Sequence, residues 1–164
     1  MINNMLSETR GPLSMSTFST VMAINVNGSV HTAKHAAIAM SKNQEKNGER
    51  GVIILVSSLA AEEGQKGQVA YSASKGALNA MVLPMARDLG KYKIRVAAVA
   101  PGIFATPLSA ILPSKAEKSL IAATPMGRYG SPDEFAHMAC FCIENGYING
   151  VSLRIDGAIK LPNL

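Results

Sequence analysis

The sequence predicts an α/β fold, in which helices alternate with the strands of a parallel sheet. Three short runs read as strands, and segments with helical spacing of apolar residues precede each of them: "GVIILVSS" at 51–58, "IRVAAVAPG" at 94–102 and "GVSLRIDG" at 150–157. The first two lack polar alternation, which is typical of strands covered on both faces. With 164 residues, 48% hydrophobic and 16% charged, the chain is too apolar to be disordered. We expect residues 1–164 to form a single domain, or a piece of a larger one.

The first half contains two long helices. Apolar and small residues recur at helical spacing over residues 18–40, and Ser16 or Thr17 could cap this helix, which we expect to be mostly buried. A polar surface loop follows it and leads to the first strand. A second helix is predicted over residues 69–90, with Gly90 near its C-terminal stop.

The second half contains two shorter helices. One is predicted over residues 114–123, inside a segment whose composition suits a mobile lid. The next has Ser131 as N-cap, Pro132 at the first helical position and Glu134 to complete a capping box. Because ligands bind beyond the carboxyl ends of parallel strands, we expect a site near the residues at those ends. These are Ser57, Ser58, Pro101, Gly102, Asp156 and Gly157.

The charge pattern argues against several partners. Sixteen Lys and Arg residues against eleven Asp and Glu give a net charge of +5, but they are scattered, which favours a solvated surface over a nucleic-acid face. Attraction of an anionic cofactor is also compatible with this charge. No apolar run is long enough to span a membrane or to form a secretory signal, so we expect a soluble protein of the mitochondrial matrix or cytoplasm. Cys140 and Cys142 lack a second ligand pair, so we expect buried thiols and no metal site.

Tyr71 and Lys75, in "YSASKGALNAM", are four residues apart and therefore project from one face of the second helix. An ammonium group in this position stabilises a phenolate, so Tyr71 could donate a proton to a carbonyl or accept one from an alcohol. Ser58 lies thirteen residues earlier at a strand end, where its hydroxyl could bind the same substrate oxygen. A Tyr-x-x-x-Lys pair alone is common, however, and does not establish catalysis.

The surrounding motifs give this pair a context. A strand-end serine, "YSASK" thirteen residues later, a strand closing in "PG" with Thr106 four residues beyond Gly102, and an asparagine in "NVNG" occur in one order. Over about residues 12–156 this arrangement resembles the short-chain dehydrogenase/reductase family. The resemblance implies a Rossmann-type doubly wound parallel sheet and reversible hydride transfer between NAD(P)H and a carbonyl.

The resemblance also implies roles for particular residues. Tyr71 would be the catalytic acid/base, and Lys75 would lower its pKa and hold the nicotinamide ribose. Ser58 would polarise the substrate carbonyl, and Asn25 would hold a water that connects Lys75 to solvent. The backbone of Gly102 and Phe104 and the side chain of Thr106 would contact the nicotinamide end of the cofactor, NAD or NADP.

Within the family, "LPMARDL" and "RIDGAIKLP" resemble the 3-hydroxyacyl-CoA dehydrogenase type II branch, also described as multifunctional hydroxysteroid dehydrogenases. There Gln65 and Gln68 would lie near an acyl-CoA or steroid-like substrate, although exposed loop glutamines are an equally good interpretation. Bacterial 3-oxoacyl-carrier-protein reductases share most of these features. The resemblance further implies a homodimer or homotetramer formed through helices 18–40 and 69–90.

One part of the family pattern is missing from this sequence. The glycine-rich turn after the first strand and the acidic residue after the second are absent, and only "INN" at residues 2–4 resembles the family's Asn-Asn-Ala-Gly strand end. We therefore expect the C-terminal, catalytic portion of the fold without its first strands, with an exposed apolar edge on strand 51–58 and poor binding of NAD. Two functional classes stay open: an oxidoreductase, or an inactive polypeptide that only associates with intact subunits.

Overall fold

The computed structural model describes residues 4–9, 11–107 and 109–161, so Ile2 and Asn3 of the "INN" comparison lie outside the described residues. Three parallel strands form one sheet in the order β1 (Gly51–Val56), β2 (Ile94–Pro101) and β3 (Ser152–Ile155). Five α-helices connect and cover them: α1 (Met15–Met22), α2 (Gly28–Met40), α3 (Val69–Gly90), α4 (Ser114–Ala123) and α5 (Pro132–Glu144). The predicted α/β fold with a parallel sheet is confirmed.

The central strand β2 is covered on both faces, as its lack of polar alternation predicts. Its alternate residues Ile94, Val96 and Ala98 share a buried cluster with side chains of α2, α3 and β1. Arg95, between them, points to the opposite face and reaches carbonyl oxygens of α5. Burial of each Val or Ile side chain contributes about 1.5–3 kcal/mol, so this strand anchors the sheet to both helical layers.

The first helix departs from the predicted one at its start and in its middle. Ser14, in extended conformation, accepts a hydrogen bond from the backbone N–H of Thr17, so α1 begins at Met15 and is not capped by Ser16 or Thr17. A π-helical turn over Ala23–Asn27 then separates α1 from α2, with the Gly28 N–H bonded to the Ala23 carbonyl. Such turns are frequent at functional sites.

The expectation that residues 18–40 are mostly buried is wrong for this chain. Among the described residues of α1, the π-helical turn and α2, only Ala33 is buried, while Ile24 is 67% exposed and Ile38 48% exposed. The reason is that these helices pack on β1 and α3 through one face only. Their remaining apolar residues have no cover within the described chain.

The other helices match their predictions closely, whereas the last strand is shorter than predicted and covers only Ser152–Ile155. Helices α3 and α4 have the predicted bounds, and the capping box of α5 is present, with Ser131 Oγ accepting from the Glu134 N–H and the Glu134 carboxylate from the Ser131 N–H. Strand β1 lies at the edge of the sheet, where Val56 is 48% exposed. No helix in the described ranges is long and apolar enough to cross a membrane.

Candidate active site

A cavity of about 620 Å³ opens at the carboxyl ends of β1 and β2, where the sequence predicts a ligand site. Seven of the nine predicted site residues line it: Ser58, Gln65, Gln68, Tyr71, Gly102, Phe104 and Thr106. The other two, Asn25 and Lys75, do not line the cavity but bond to the elements that form it. The fold therefore brings together predicted residues that are up to 48 positions apart, from Ser58 to Thr106.

Ser58 enters the cavity from the turn that follows β1. Its backbone is extended, and its hydroxyl oxygen accepts a hydrogen bond of 3.1 Å from the Ala60 N–H at the start of a short 3₁₀ turn, Leu59–Ala61. A hydroxyl has one donor besides its two acceptor positions. The O–H of Ser58 is thus available to donate to an oxygen atom in the cavity.

Lys75 lies one helical turn from Tyr71, with Nζ 5.8 Å from the centre of the Tyr71 ring. The ammonium also donates a 2.8 Å hydrogen bond to the carbonyl oxygen of Val56, at the end of β1. Burial lowers the pKa of this ammonium below its ordinary value, because the charged form loses hydration. The predicted same-face placement of the two side chains is confirmed.

Ser57 fixes helix α3 to the end of β1. Its buried hydroxyl donates a 3.0 Å hydrogen bond to the backbone carbonyl of Lys75. Together with the bond from Lys75 Nζ to the Val56 carbonyl, this bond holds α3 against the end of β1. These two segments supply Ser58 and Tyr71 to the cavity. Sequence reasoning placed Ser57 at the sheet edge but assigned it no contact, because its partner is eighteen residues away.

Asn25 reaches the site through a serine that sequence reasoning missed. The amide of Asn25, in the π-helical turn, donates a 2.9 Å hydrogen bond to Ser74 Oγ, and Ser74 in turn donates a 2.7 Å bond to the backbone carbonyl of Tyr71. Ser74 is fully buried. Its position three residues after Tyr71 in "YSASK" was the available signal. The implied water link from Asn25 to Lys75 stays a prediction.

The segment after β2 forms a second side of the cavity. A Cβ on Gly102 would lie only 2.7 Å from the Cβ of Asp156, so a glycine is needed where the ends of β2 and β3 approach. The Phe104 ring packs edge-on against Phe135, with 5.9 Å between ring centres. Thr106 is exposed at the rim, where its N–H bonds to Ser109 Oγ.

Gln65 and Gln68 are half-buried residues of the cavity wall, not freely exposed loop glutamines. Gln68 Oε1 accepts from the Gln65 N–H at 3.0 Å, and Gln68 Nε2 donates to Gln65 Oε1 at 3.3 Å. This mutual bonding fixes amide groups at the surface of the cavity. That Gln65 and Gln68 lie near a substrate stays a prediction.

Most of the remaining wall is apolar and was not identified from the sequence. The apolar side chains come from distant parts of the chain: Leu59, Ile103, Leu112, Leu120, Phe135 and Leu161. The end of β3, also predicted to face the site, belongs elsewhere, because Asp156 and Gly157 line a neighbouring cavity of about 360 Å³. The main cavity is therefore largely apolar, with Ser58 and Tyr71 on the β1 and α3 side and Thr106 at the rim.

The available donors fit the ribose end of a nicotinamide cofactor. Lys75 has three N–H donors, of which the described structure uses one on Val56, and its Nζ lies 5.8 Å from the ring centre of Tyr71. Donors of this kind suit the hydroxyl groups of a sugar. The sequence does not offer a glycine-rich cradle for the pyrophosphate, because no two of its fourteen glycines are spaced as G-x-G.

The expectation that both cysteine thiols are buried is correct for one of them only. Cys142 is buried on α5, but Cys140 is exposed, since the two lie on different faces of that helix.

Comparison with known proteins shows the family of the chain. A family model described as enoyl-(acyl carrier protein) reductase matches residues 2–159. The chain is 46% identical over 146 residues to 3-hydroxyacyl-CoA dehydrogenase type-2 of Mus musculus, an alignment that covers 88% of this chain and 56% of the relative. The chain thus spans about half the length of the curated relatives it matches.

Two solved structures are similar throughout the described fold. A 3-hydroxyacyl-CoA dehydrogenase type-2 from Mycobacterium avium has a TM-score of 0.95 at 35% identity, covering 100% of this chain and 64% of that one. A 7α-hydroxysteroid dehydrogenase, complexed with NADH and 7-oxo glycochenodeoxycholic acid, has a TM-score of 0.82 at 30% identity, covering 93% and 59%. The order of motifs, the parallel sheet and these matches together place the chain in the short-chain dehydrogenase/reductase family of oxidoreductases.

Proposed function

We propose that this chain provides the acid/base half of an NAD(P)-dependent dehydrogenase that interconverts a secondary alcohol and a ketone. The observation that supports this best is the position of Ser58 and Tyr71 in one largely apolar cavity, with the Lys75 ammonium one helical turn away. The proposed substrates are a 3-hydroxyacyl-CoA and its 3-oxoacyl-CoA, or a hydroxysteroid. The names of the relatives and the apolar wall both support this substrate class.

In the direction of reduction, the Tyr71 hydroxyl donates its proton to the carbonyl oxygen as that oxygen becomes an alcohol. The O–H of Ser58 donates a hydrogen bond to the same oxygen, where negative charge develops in the transition state. Tyr71 is left as a phenolate, which the nearby Lys75 ammonium stabilises. In the direction of oxidation the same groups act in reverse, with Tyr71 accepting the proton of the alcohol.

A nicotinamide cofactor, when bound, supplies or accepts the hydride at the carbon atom. Lys75, Tyr71 and Thr106 are the residues proposed to hold its ribose and nicotinamide end. NAD and NADP stay equally possible, because the residues that distinguish them in the family do not match any segment of this sequence.

The test is turnover of acetoacetyl-CoA with NADH and, in parallel, NADPH, followed by the loss of reduced-cofactor absorbance. Replacement of Tyr71 by phenylalanine should lower kcat by roughly 10²–10⁴-fold, the usual contribution of a general acid. Tyr92→Phe is a matched control, because Tyr92 also has a lysine beside its ring, with Lys91 Nζ 5.1 Å from the ring centre, but lies outside the cavity. It should leave kcat unchanged.

Absence of any Tyr71-dependent turnover would favour the other class, a polypeptide that acts only by association. Replacing the CoA thioester with the corresponding carrier-protein thioester, or with a 7-oxo bile acid, separates the substrate classes. A kcat/KM highest for the carrier-protein thioester would identify the alternative, a 3-oxoacyl-carrier-protein reductase.

We further propose that the chain forms a homodimer or homotetramer through α1–α2 and α3. Support comes from large apolar side chains that are exposed on these helices, including Ile24, Ile38 and Leu83 at 45% exposure. Exposed apolar side chains that group into a patch mark interaction sites. Sedimentation of the chain with and without Ile38→Glu tests this, since a monomer in both cases contradicts it.

A further inference from the structure

The chain after β3 turns back towards the cavity instead of leaving the domain. Gly157 and Ala158 both have left-handed backbone, with φ of 61° and 62°, and Asp156 Oδ1 accepts a 3.0 Å hydrogen bond from the Ala158 N–H. Ile159 is then fully buried, and Leu161 lines the cavity. The segment 157–161, here called the tail, thus brings Leu161 into the cavity wall.

The loop over residues 59–68 forms the wall beside the tail. Leu59 is 2% exposed and packs in one cluster with Ile159 of the tail and Leu120 of α4. The same loop presents Gln65 and Gln68 to the cavity. The loop and the tail therefore pack against each other and line the same cavity.

The Glu63 carboxylate connects these two segments, and Glu62 of the same loop adds a 3.5 Å pair with Arg154. Glu63 Oε1 accepts a 2.8 Å hydrogen bond from Arg154 Nη1 on β3 and a second from Lys160 Nζ in the tail. Arg154 also pairs with the carboxylate of Asp156, at the turn that begins the tail. The side chains of Glu63, Arg154 and Asp156 are 22%, 29% and 11% exposed, so water screens the pairs of Arg154 less than it would screen a surface ion pair. Lys160 is 78% exposed, so its pair with Glu63 is a surface pair.

The charge state of Glu63 agrees with this arrangement. The hydrogen bonds from Lys160 and then from Arg154 hold the pKa of its carboxyl below the ordinary value. The carboxylate is therefore ionised at neutral pH, as both ion pairs require.

We propose that Glu63 is a positioning residue that holds the tail against loop 59–68, and so fixes Leu161 as a specificity-determining wall for the apolar part of the substrate. The position of the tail does not depend on the proposed function, whereas the effect on substrate rests on it. Glu63 touches no reacting atom in this scheme. Its loss should loosen the wall without altering the proton transfer at Tyr71.

The first measurement is amide hydrogen exchange of the 164-residue chain with Glu63→Gln, which keeps the size of the side chain and removes its charge. Exchange in the tail and in loop 59–68 should become about threefold to fivefold faster, the range expected when a partly exposed ion-pair network is lost. Exchange in β2 should not change, which shows that the fold is intact. Glu45→Gln, in the exposed loop before β1, is the matched control and should change nothing.

The second measurement compares a long-chain 3-oxoacyl-CoA with acetoacetyl-CoA. Glu63→Gln and Leu161→Ala should raise KM for the long-chain substrate about threefold to fivefold, with kcat and the KM of acetoacetyl-CoA within about twofold. Raising the salt concentration should raise the long-chain KM of the wild type but not that of Glu63→Gln.

The outcomes separate this proposal from the proposed function. Unchanged tail exchange in Glu63→Gln overturns the positioning role, whether or not the chain is active. Faster tail exchange without any Tyr71-dependent turnover supports the positioning role and contradicts the proposed function. Faster exchange with an unchanged long-chain KM overturns the specificity role of Leu161. If Glu63→Gln also loosens β2, Lys160→Met, which removes one of the two pairs, decides by the same criteria.

Discussion

Replacing Arg95 with methionine should strongly destabilise the protein, because this guanidinium connects the sheet to the end of α5. Arg95 is 5% exposed, and four hydrogen bonds of 2.8–2.9 Å join it to other groups. Three go to backbone carbonyls of the α5 end and the loop after it, at Cys142, Ile143 and Ile148, and one to the Glu49 carboxylate. Methionine has a similar length but offers none of these donors.

The magnitude follows from what the substitution leaves behind. Three carbonyls lose their donor, and the Glu49 carboxylate, 28% exposed, loses its partner at 2.8 Å. Removing one member of a buried pair costs about 3–5 kcal/mol, and hydrogen bonds to a charged group are worth about 1.5–3 kcal/mol each without adding fully. We therefore expect the free energy of unfolding to fall by about 3–5 kcal/mol.

Urea denaturation measures this change. With an m-value of about 2 kcal/mol/M, the midpoint should fall by about 1.5–2.5 M at unchanged slope. Arg87→Met is the control, since Arg87 is exposed in the last turn of α3 and should cost less than about 0.5 kcal/mol. A loss below about 1 kcal/mol for Arg95→Met would refute the reasoning that this network holds α5 on the sheet.

Three further predictions concern pH and close packing. Hydrogen bonds from Arg128 hold the pKa of Glu134 at about 2, below its ordinary 4.5, so its contribution to stability is complete above pH 4.5 and is lost as pH falls towards 2. Glu134→Gln should flatten this acid limb in thermal unfolding scans, and an unchanged limb would contradict the pairing. The pKa of Lys75 is lowered by burial, so between that pKa and 10.5 the native state binds fewer protons than the unfolded state and stability rises with pH. Lys75→Met should remove this rise, and equal slopes for both proteins would count against it. Gly102→Ala would place a Cβ 2.8 Å from the backbone Cα of Asp156 and should cost about 1–3 kcal/mol in urea denaturation, whereas a neutral effect would show that the strand ends can separate freely.

The Tyr71–Lys75 pair shows how much of a candidate site local sequence can predict. A spacing of four residues on a helix places Tyr71 and Lys75 on one face. In the structure, Lys75 Nζ lies 5.8 Å from the centre of the Tyr71 ring. The position of Ser58 followed from the end of an apolar strand and from the rule that ligands bind beyond such ends. Both inferences depend only on the repeat of a helix and on the direction of parallel strands. The chemical roles of these residues stay predictions.

The first helix shows where the same kind of reasoning fails. Its apolar spacing predicted burial, but exposure depends on what packs against each face, and most of α1 and α2 has no cover within the described chain. Its cap and its π-helical turn also differ from the prediction. Several short polar residues near its start could serve as the cap, and the choice depends on the incoming backbone.

The sequence alone determined the features that depend on neighbours within a few residues: the bounds of α3 and α4, the capping box at Ser131 and Glu134, and the Tyr71–Lys75 pair. Tertiary structure decided the features that depend on residues far apart in the chain. The Asn25–Ser74 bond joins positions 49 apart, and the bonds of Glu63 to Arg154 and Lys160 join positions 91 and 97 apart. No periodicity encodes such contacts, because they exist only once the strands have paired and the tail has folded back onto the cavity.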